Sequence, residues 1–155
     1  MDRIPVTQET LDQLKEELNN LKKVERPRII TEIADARAQG DLRENAEYHA
    51  AKDRQGEIEN RIRYLEDRVA RSFVVTYDAS KSESIKFGAT VTVKNLKTNS
   101  VQNYQLVSPE GVDPMNGKIS FTSPIGKALM GKTKGEVIEV TTPRGTNRLE
   151  IIDYK

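Results

Sequence analysis

Asp41 and Glu44 are the residues of this 155-residue chain whose type and spacing most invite chemistry. They stand three apart in the polar run Gly40-Asp41-Leu42-Arg43-Glu44-Asn45. Two carboxylates with few other ligands make a weak metal site alone. They suit a Mg2+ that keeps several waters and is shared with another macromolecule. Such an ion can activate water for phosphodiester hydrolysis in a two-metal arrangement. The same spacing has a structural reading, in which Asp41 is an N-cap and Glu44 its partner in an Asp version of the capping box. That would contribute about 1 kcal/mol and needs no function. The two readings are compatible, because a cap uses only part of a carboxylate's acceptor capacity. The sequence holds one histidine, His49, and no cysteine, so a metal site built on paired His or on Cys is excluded.

Two long segments of helical pattern must position these acids. In the first, Thr7 is a plausible N-cap, Val6 and Leu11 a hydrophobic staple, and Glu9 and Asp12 sit where acids favour the helix dipole. Leu11, Leu14, Leu18 and Leu21 follow at the spacing of a narrow coiled-coil seam. Continued strictly, the seam would reach Glu25 and Arg28; Val24 instead carries it toward Ile30 and Ile33. Pro27 lies at this phase shift and removes one intrahelical hydrogen bond, so a kink is expected there. The pattern ends near Ala38, with Gly40 as terminator.

The second segment carries the stripe Tyr48, Ala51, Gln55, Ile58, Ile62, Leu65 and Val69, again at alternating three and four. Gln55 is its one polar member and reads as a register-setting residue. If the two segments fold back on each other, Ile33 meets Tyr48, Ile30 meets Ala51, Leu18 meets Ile62 and Leu11 meets Val69. Each pair centres the bend near Gly40, so seam phase and turn chemistry agree on an antiparallel hairpin. Leu11 to the bend is about 29 residues, or ~44 Å at 1.5 Å per residue. Such a hairpin can carry its tip into a deep, narrow hole.

Composition limits the remainder. The chain is 35% hydrophobic and 32% charged, too polar for one large core but strongly periodic, which fits a rod plus a small globule. Residues 1–78 carry 14 Lys and Arg against 17 Asp and Glu, and residues 79–155 carry 11 against 7. Neither half has the basic excess of a free-standing duplex-DNA binder. The start Met1-Asp2-Arg3-Ile4-Pro5 has no apolar signal core and no run approaches membrane-spanning length, so a cytoplasmic protein is expected. Arg37, Arg43, Lys52 and Arg54 gather toward the turn; solubility and pairs such as Arg43 with Glu47 account for them.

From residue 73 the pattern changes to short strands. Runs at 73–77, 85–93 (broken at Gly88), 101–107 and 119–122 precede a closing hairpin of 136–142 and 147–154, with a polar linker at 78–84. Ser123, Pro124 and Gly131 mark the cap, first residue and end of one short helix. The expected fold is α+β: a helical hairpin over residues 1–77, then an antiparallel sheet domain over 78–155.

The run Gly40-Asp41-Leu42-Arg43-Glu44-Asn45-Ala46-Glu47-Tyr48-His49-Ala50-Ala51-Lys52 closely resembles the signature of the GreA family of bacterial transcript cleavage factors. The resemblance extends to Ile4-Pro5, Arg26-Pro27, residues 87–91 and residues 123–129. It implies a transcription elongation factor, not itself an enzyme, whose coiled coil enters the secondary channel of bacterial RNA polymerase. There it stimulates the polymerase's own cleavage of backtracked RNA. The family's acids fall on Asp41 and Glu44, which by resemblance help hold a second Mg2+ and a water at the polymerase active site; no metal is expected in the free protein. A family basic patch against the extruded 3′ RNA segment falls on Arg37 and Lys52, with Arg54 a further member. The second domain would be FKBP-like and dock at the channel rim, with Ser123, Pro124 and Ile125 near the contact, although these residues also simply start a helix. Prolyl isomerisation is the enzyme alternative, but the aromatics of this half are scattered. An inhibitory paralogue, which blocks the channel without stimulating cleavage, carries extra tip acids. Here Leu42 and Arg43 stand between the two acids, so stimulation is expected, by a monomer that engages no membrane.

Overall fold

The computed structural model describes residues 2–40, 45–78 and 82–155. The first helix starts where Thr7 caps it: its hydroxyl oxygen accepts from the Thr10 N–H at 3.2 Å. Helix α1 (Gln8–Asn20) runs into a wider π turn (Leu21–Glu25) and continues as α2 (Arg26–Arg37). The Arg26 N–H reaches back five residues to the Leu21 carbonyl, so this turn holds one residue more than an α-helical turn. That extra residue is the physical form of the expected phase break. Strict spacing from Leu21 predicts inward positions at 25, 28, 32 and 35; the buried residues of α2 are Ile29, Ile33 and Ala36, displaced by one. The expected path through Val24 and Ile30 is therefore corrected: Ile30 is 52% exposed and Val24 is also exposed, while Ile29 is 3% exposed. Pro27, which has no N–H to give, lies just beyond the wide turn.

Helix α3 (Ala46–Arg71) returns with the expected stripe inward; Ala51, Ile62 and Leu65 are buried. Ile29, Ile33 and Ala51 form one cluster, with Tyr48 and Ile58 packed against it. Ion pairs flank this seam. Arg26 grips Glu59 through two nitrogens at 2.8 and 2.9 Å, Arg61 grips Glu17 at 2.7 and 2.9 Å, and Arg54 meets Glu32 at 2.6 Å. These charged side chains thus tie one helix to the other.

Two compact units divide the chain: Met1–Arg3 with Leu11–Ser72, and Ile4–Thr10 with Phe73–Lys155. The second therefore takes in residues 4–10. Strand β1 (Ile4–Val6) pairs with β2 (Ser72–Val74) in a two-stranded ribbon, Val6 is fully buried, and the Glu9 carboxylate accepts from Lys118 at 2.7 Å.

The main sheet has the order β5-β4-β3-β7-β6. It comprises β3 (Thr90–Asn95), β4 (Val101–Val107), β5 (Lys118–Ser120), β6 (Val137–Thr142) and β7 (Gly145–Tyr154). The expected purely antiparallel sheet is corrected to a mixed one, because β5 runs parallel to β4. The chain reverses twice between them: single turns of 3-10 helix at Pro109–Gly111 and Pro114–Asn116 lead to Asp113 and Lys118, which exchange both backbone hydrogen bonds. The expected strand at 85–93 also starts late. Gly88 has φ +90°, which ends any extended run, and β3 begins at Thr90. Ile85 bonds instead to Gly131 and Lys132. Val91, Val93, Leu106, Ile138, Val140, Leu149 and Ile151 form one buried cluster with helix α4 (Pro124–Leu129), whose Leu129 is fully buried.

Candidate functional site

The turn of the hairpin is built from two helix ends, each with backbone groups that lack intrahelical partners. Helix α2 closes through Ala38, and the Gln39 N–H donates to the Ala36 carbonyl at 3.2 Å. Gly40 follows at φ +127°, a conformation that favours glycine. Asp41, Leu42, Arg43 and Glu44 lie outside the described residues. The chain resumes at Asn45, extended at φ −86° and ψ 94°, and α3 begins at the next residue.

Asn45 corrects the capping-box reading. Its side-chain oxygen accepts from the Tyr48 N–H at 3.0 Å, so Asn45, and not Asp41, is the N-cap of α3. Asp41 and Glu44 both precede this cap in sequence. The side-chain nitrogen of Asn45 donates to the Ala36 carbonyl at 2.6 Å. One carboxamide thus serves the last turn of α2 and the first turn of α3. Asn is among the best N-capping residues, and that signal was available in the sequence beside the more conspicuous acids.

The three basic residues divide. Arg37 ends α2, and its guanidinium carbon lies 5.8 Å from the centre of the Tyr48 ring, within cation–π range. The Tyr48 and His49 rings also meet edge to face, with centres 5.5 Å apart. Arg37 and Lys52 line one cavity of about 250 Å³ with Ile30, Ile33, Ala34 and Gln55. Lys52 donates to Gln55 at 3.2 Å. Two cations over an apolar floor can attract a phosphate and lie against a base. Arg54 is not brought to them. It lines a second cleft of about 320 Å³ with Glu32, Asp35 and Glu47, and its guanidinium is paired with Glu32.

At the start of α4, the Ser123 oxygen accepts from the Gly126 N–H at 3.1 Å while its hydroxyl donates to the Ser120 carbonyl at 2.7 Å. Ser123 is occupied by local structure, Pro124 is exposed, and Ile125 packs against the sheet core. Ile125 also lines a cavity of about 230 Å³ with Val93, Tyr104, Val140 and Leu149. Burial pushes the Tyr104 hydroxyl up from its ordinary pKa. One aromatic ring in this lining is a poor match to a pocket for proline.

Among the described residues no group of three or more His, Asp or Glu could hold a metal ion, and no helix is long and apolar enough to cross a membrane.

Residues 4–74 match the family described as transcription elongation factor, N-terminal, and residues 80–155 match transcription elongation factor, GreA/GreB, C-terminal. The chain is 49% identical to the transcription elongation factor GreA of Thermodesulfovibrio yellowstonii, over 97% of this chain and 96% of that one. It is 48% identical to GreA of Phenylobacterium zucineum, with the same shares covered. A solved structure of a GreA/GreB elongation factor from Nitrosomonas europaea matches with 22% identity, 100% and 99% coverage and a TM-score of 0.44.

Proposed function

Because the chain belongs to the GreA/GreB family of transcription elongation factors, we propose that it acts on bacterial RNA polymerase in the cytoplasm by presenting the hairpin turn to the polymerase active site, so that backtracked RNA is cleaved there. The observation that supports this reading is the division of labour at the turn. Asn45 caps α3, so the N-cap role is filled by a residue other than the two acids. Two carboxylates offer hard oxygen ligands of the kind Mg2+ accepts while it keeps waters of its own. Asp41 and Glu44 would hold such an ion jointly with the polymerase, and the bound ion would supply an activated water for phosphodiester hydrolysis.

The remaining roles fall to this chain's own residues. Arg37 and Lys52, together at one cavity, attract the phosphates of the extruded 3′ RNA segment without reading its sequence. The seam and its flanking ion pairs keep the two antiparallel stems side by side along α3, which at 26 residues is about 39 Å long. Pro124 and Ile125 at the start of α4 offer the second unit's contact to the channel rim. The protein contributes ligands and position, and the bond is broken in the polymerase.

The experiment uses stalled, backtracked bacterial polymerase carrying end-labelled RNA. Wild-type protein should shorten the RNA, while Asp41→Asn and Glu44→Gln should bind polymerase with unchanged affinity and fail to stimulate. Wild-type protein that binds and never shortens the RNA would overturn the cleavage role and leave channel occupancy. Arg37→Ala and Lys52→Ala should weaken stimulation more than Arg54→Ala, because Arg54 is already paired.

A further inference from the structure

We propose that Asn45 is a positioning residue of the hairpin end, holding the last turn of α2 and the first turn of α3 together at a fixed separation; its role in cleavage rests on the function proposed above. The geometry is a single carboxamide used at both of its ends. The oxygen accepts from the Tyr48 N–H at 3.0 Å, and the nitrogen donates to the Ala36 carbonyl at 2.6 Å, nine residues back. Ala36 is buried at 4% exposure, so its carbonyl belongs to the fixed part of α2. The Asn45 carbonyl in turn accepts from the His49 N–H at 3.1 Å, which seats the same residue in the backbone of α3.

The chemistry is selective. The Ala36 carbonyl, which already accepts from the Gln39 N–H, has a second lone pair that only a donor can use, whereas the α3 start offers an N–H and needs an acceptor. Asp supplies the acceptor as well as Asn does. It has no donor when ionised, however, and would set a carboxylate oxygen against the Ala36 carbonyl oxygen. Ser also caps, but its one-atom reach does not span to Ala36. Asn45→Asp and Asn45→Ser therefore keep the cap and cut the link between the stems.

The link is read first without any reaction. The chain contains no cysteine, so Gln39→Cys and Ala46→Cys accept two spin labels without competition. The distance distribution between the labels should be narrow with Asn45 and broader in Asn45→Asp and Asn45→Ser, while helix content and polymerase affinity stay at the wild-type level. In the cleavage assay with unlabelled protein, both variants should lose about tenfold to a hundredfold in maximal rate at saturating factor, the scale of a small misplacement. They should also need more Mg2+ for half-maximal rate. An unchanged distance distribution would overturn the link. A broadened distribution with cleavage within twofold of wild type would overturn the positioning role. A rate loss matched by an equal loss of polymerase binding would assign Asn45 to docking and also overturn it. If wild-type protein itself shortens no RNA, the proposed function fails, and the label distances still decide whether the link exists.

Discussion

The hairpin and the sheet unit stand up by different means. In the hairpin the buried residues lie along a line: Leu14, Ile29, Ile33 and Ala36 from one side, Ala51, Ile62 and Leu65 from the other. The ion pairs that flank this line have side chains roughly one-third to one-half exposed, and pairs of that kind contribute little each. In the sheet unit the buried side chains of four strands and α4 form one contiguous cluster. A layer removed from a line weakens its neighbours, whereas a hole in a cluster weakens the whole unit. A two-helix hairpin has no third layer against which a cluster could form. Its working end consequently depends on local devices, which explains why one side-chain amide matters there.

The largest test of this difference is Leu106→Ala in the sheet core, expected to cost about 2–5 kcal/mol. Hydrogen exchange should speed at amides throughout β3, β4 and β7, while those of α2 and α3 keep their rates. Equal acceleration in the helices would erase the distinction. Next, Ile29→Lys should destabilise the hairpin by about 3 kcal/mol, whereas Ile30→Lys, one residue away, should stay within about 0.5 kcal/mol. Chemical denaturation followed by helix circular dichroism separates them, and equal effects would refute the one-residue displacement at the π turn.

Gly111→Ala should cost about 1–3 kcal/mol, because a Cβ there would run into the Thr10 hydroxyl. Its effect should appear in sheet amides, since Thr10 belongs to that unit. The smallest effect is acidic. Hydrogen bonds from Arg61 and Arg26 hold the Glu17 and Glu59 carboxyls below their ordinary value of 4.5. A lowered folded pKa means stabilisation that is present above the unfolded value and lost as pH falls through the folded one. Hairpin melting temperature should drop below pH 4.5, and Glu17→Gln with Glu59→Gln should flatten that drop. An unchanged slope in the double variant would show that these pairs do not couple to folding.

The hairpin was legible because its periodicity is strong and its turn chemistry agrees with the centre of the seam. The break in that periodicity was legible too, since strict spacing fell on Glu25 and Arg28. Its resolution was not: Ile29 and Ile30 are equally apolar, and the choice between them follows from a hydrogen bond that reaches five residues back. Ser123, Pro124 and Gly131 marked α4 correctly, because caps act through local bonds. Strand β5 was placed but its direction was not, since a parallel neighbour depends on Asp113 doubling back to Lys118 and leaves no trace in alternation. At the tip, Arg37 and Lys52 come together and Arg54 does not, a separation that depends on Glu32 from the facing helix. Asn45 carried a readable capping preference, but two adjacent carboxylates at box spacing competed with it.

The placement of Ile4–Thr10 has a consequence for the order of events during synthesis. These residues leave the ribosome well before their partners: Glu9 takes its partner from Lys118 and Thr10 lies against Gly111. At roughly 5–20 residues per second, the interval between making residue 10 and making residue 118 is roughly 5–20 s. For that time Glu9 has no Lys118 and Thr10 no Gly111 to meet, while β1 can already pair with β2 and the hairpin between them can close on itself. Glu9 and Thr10 therefore find these two partners late, and substitutions at either residue act on a late step of folding.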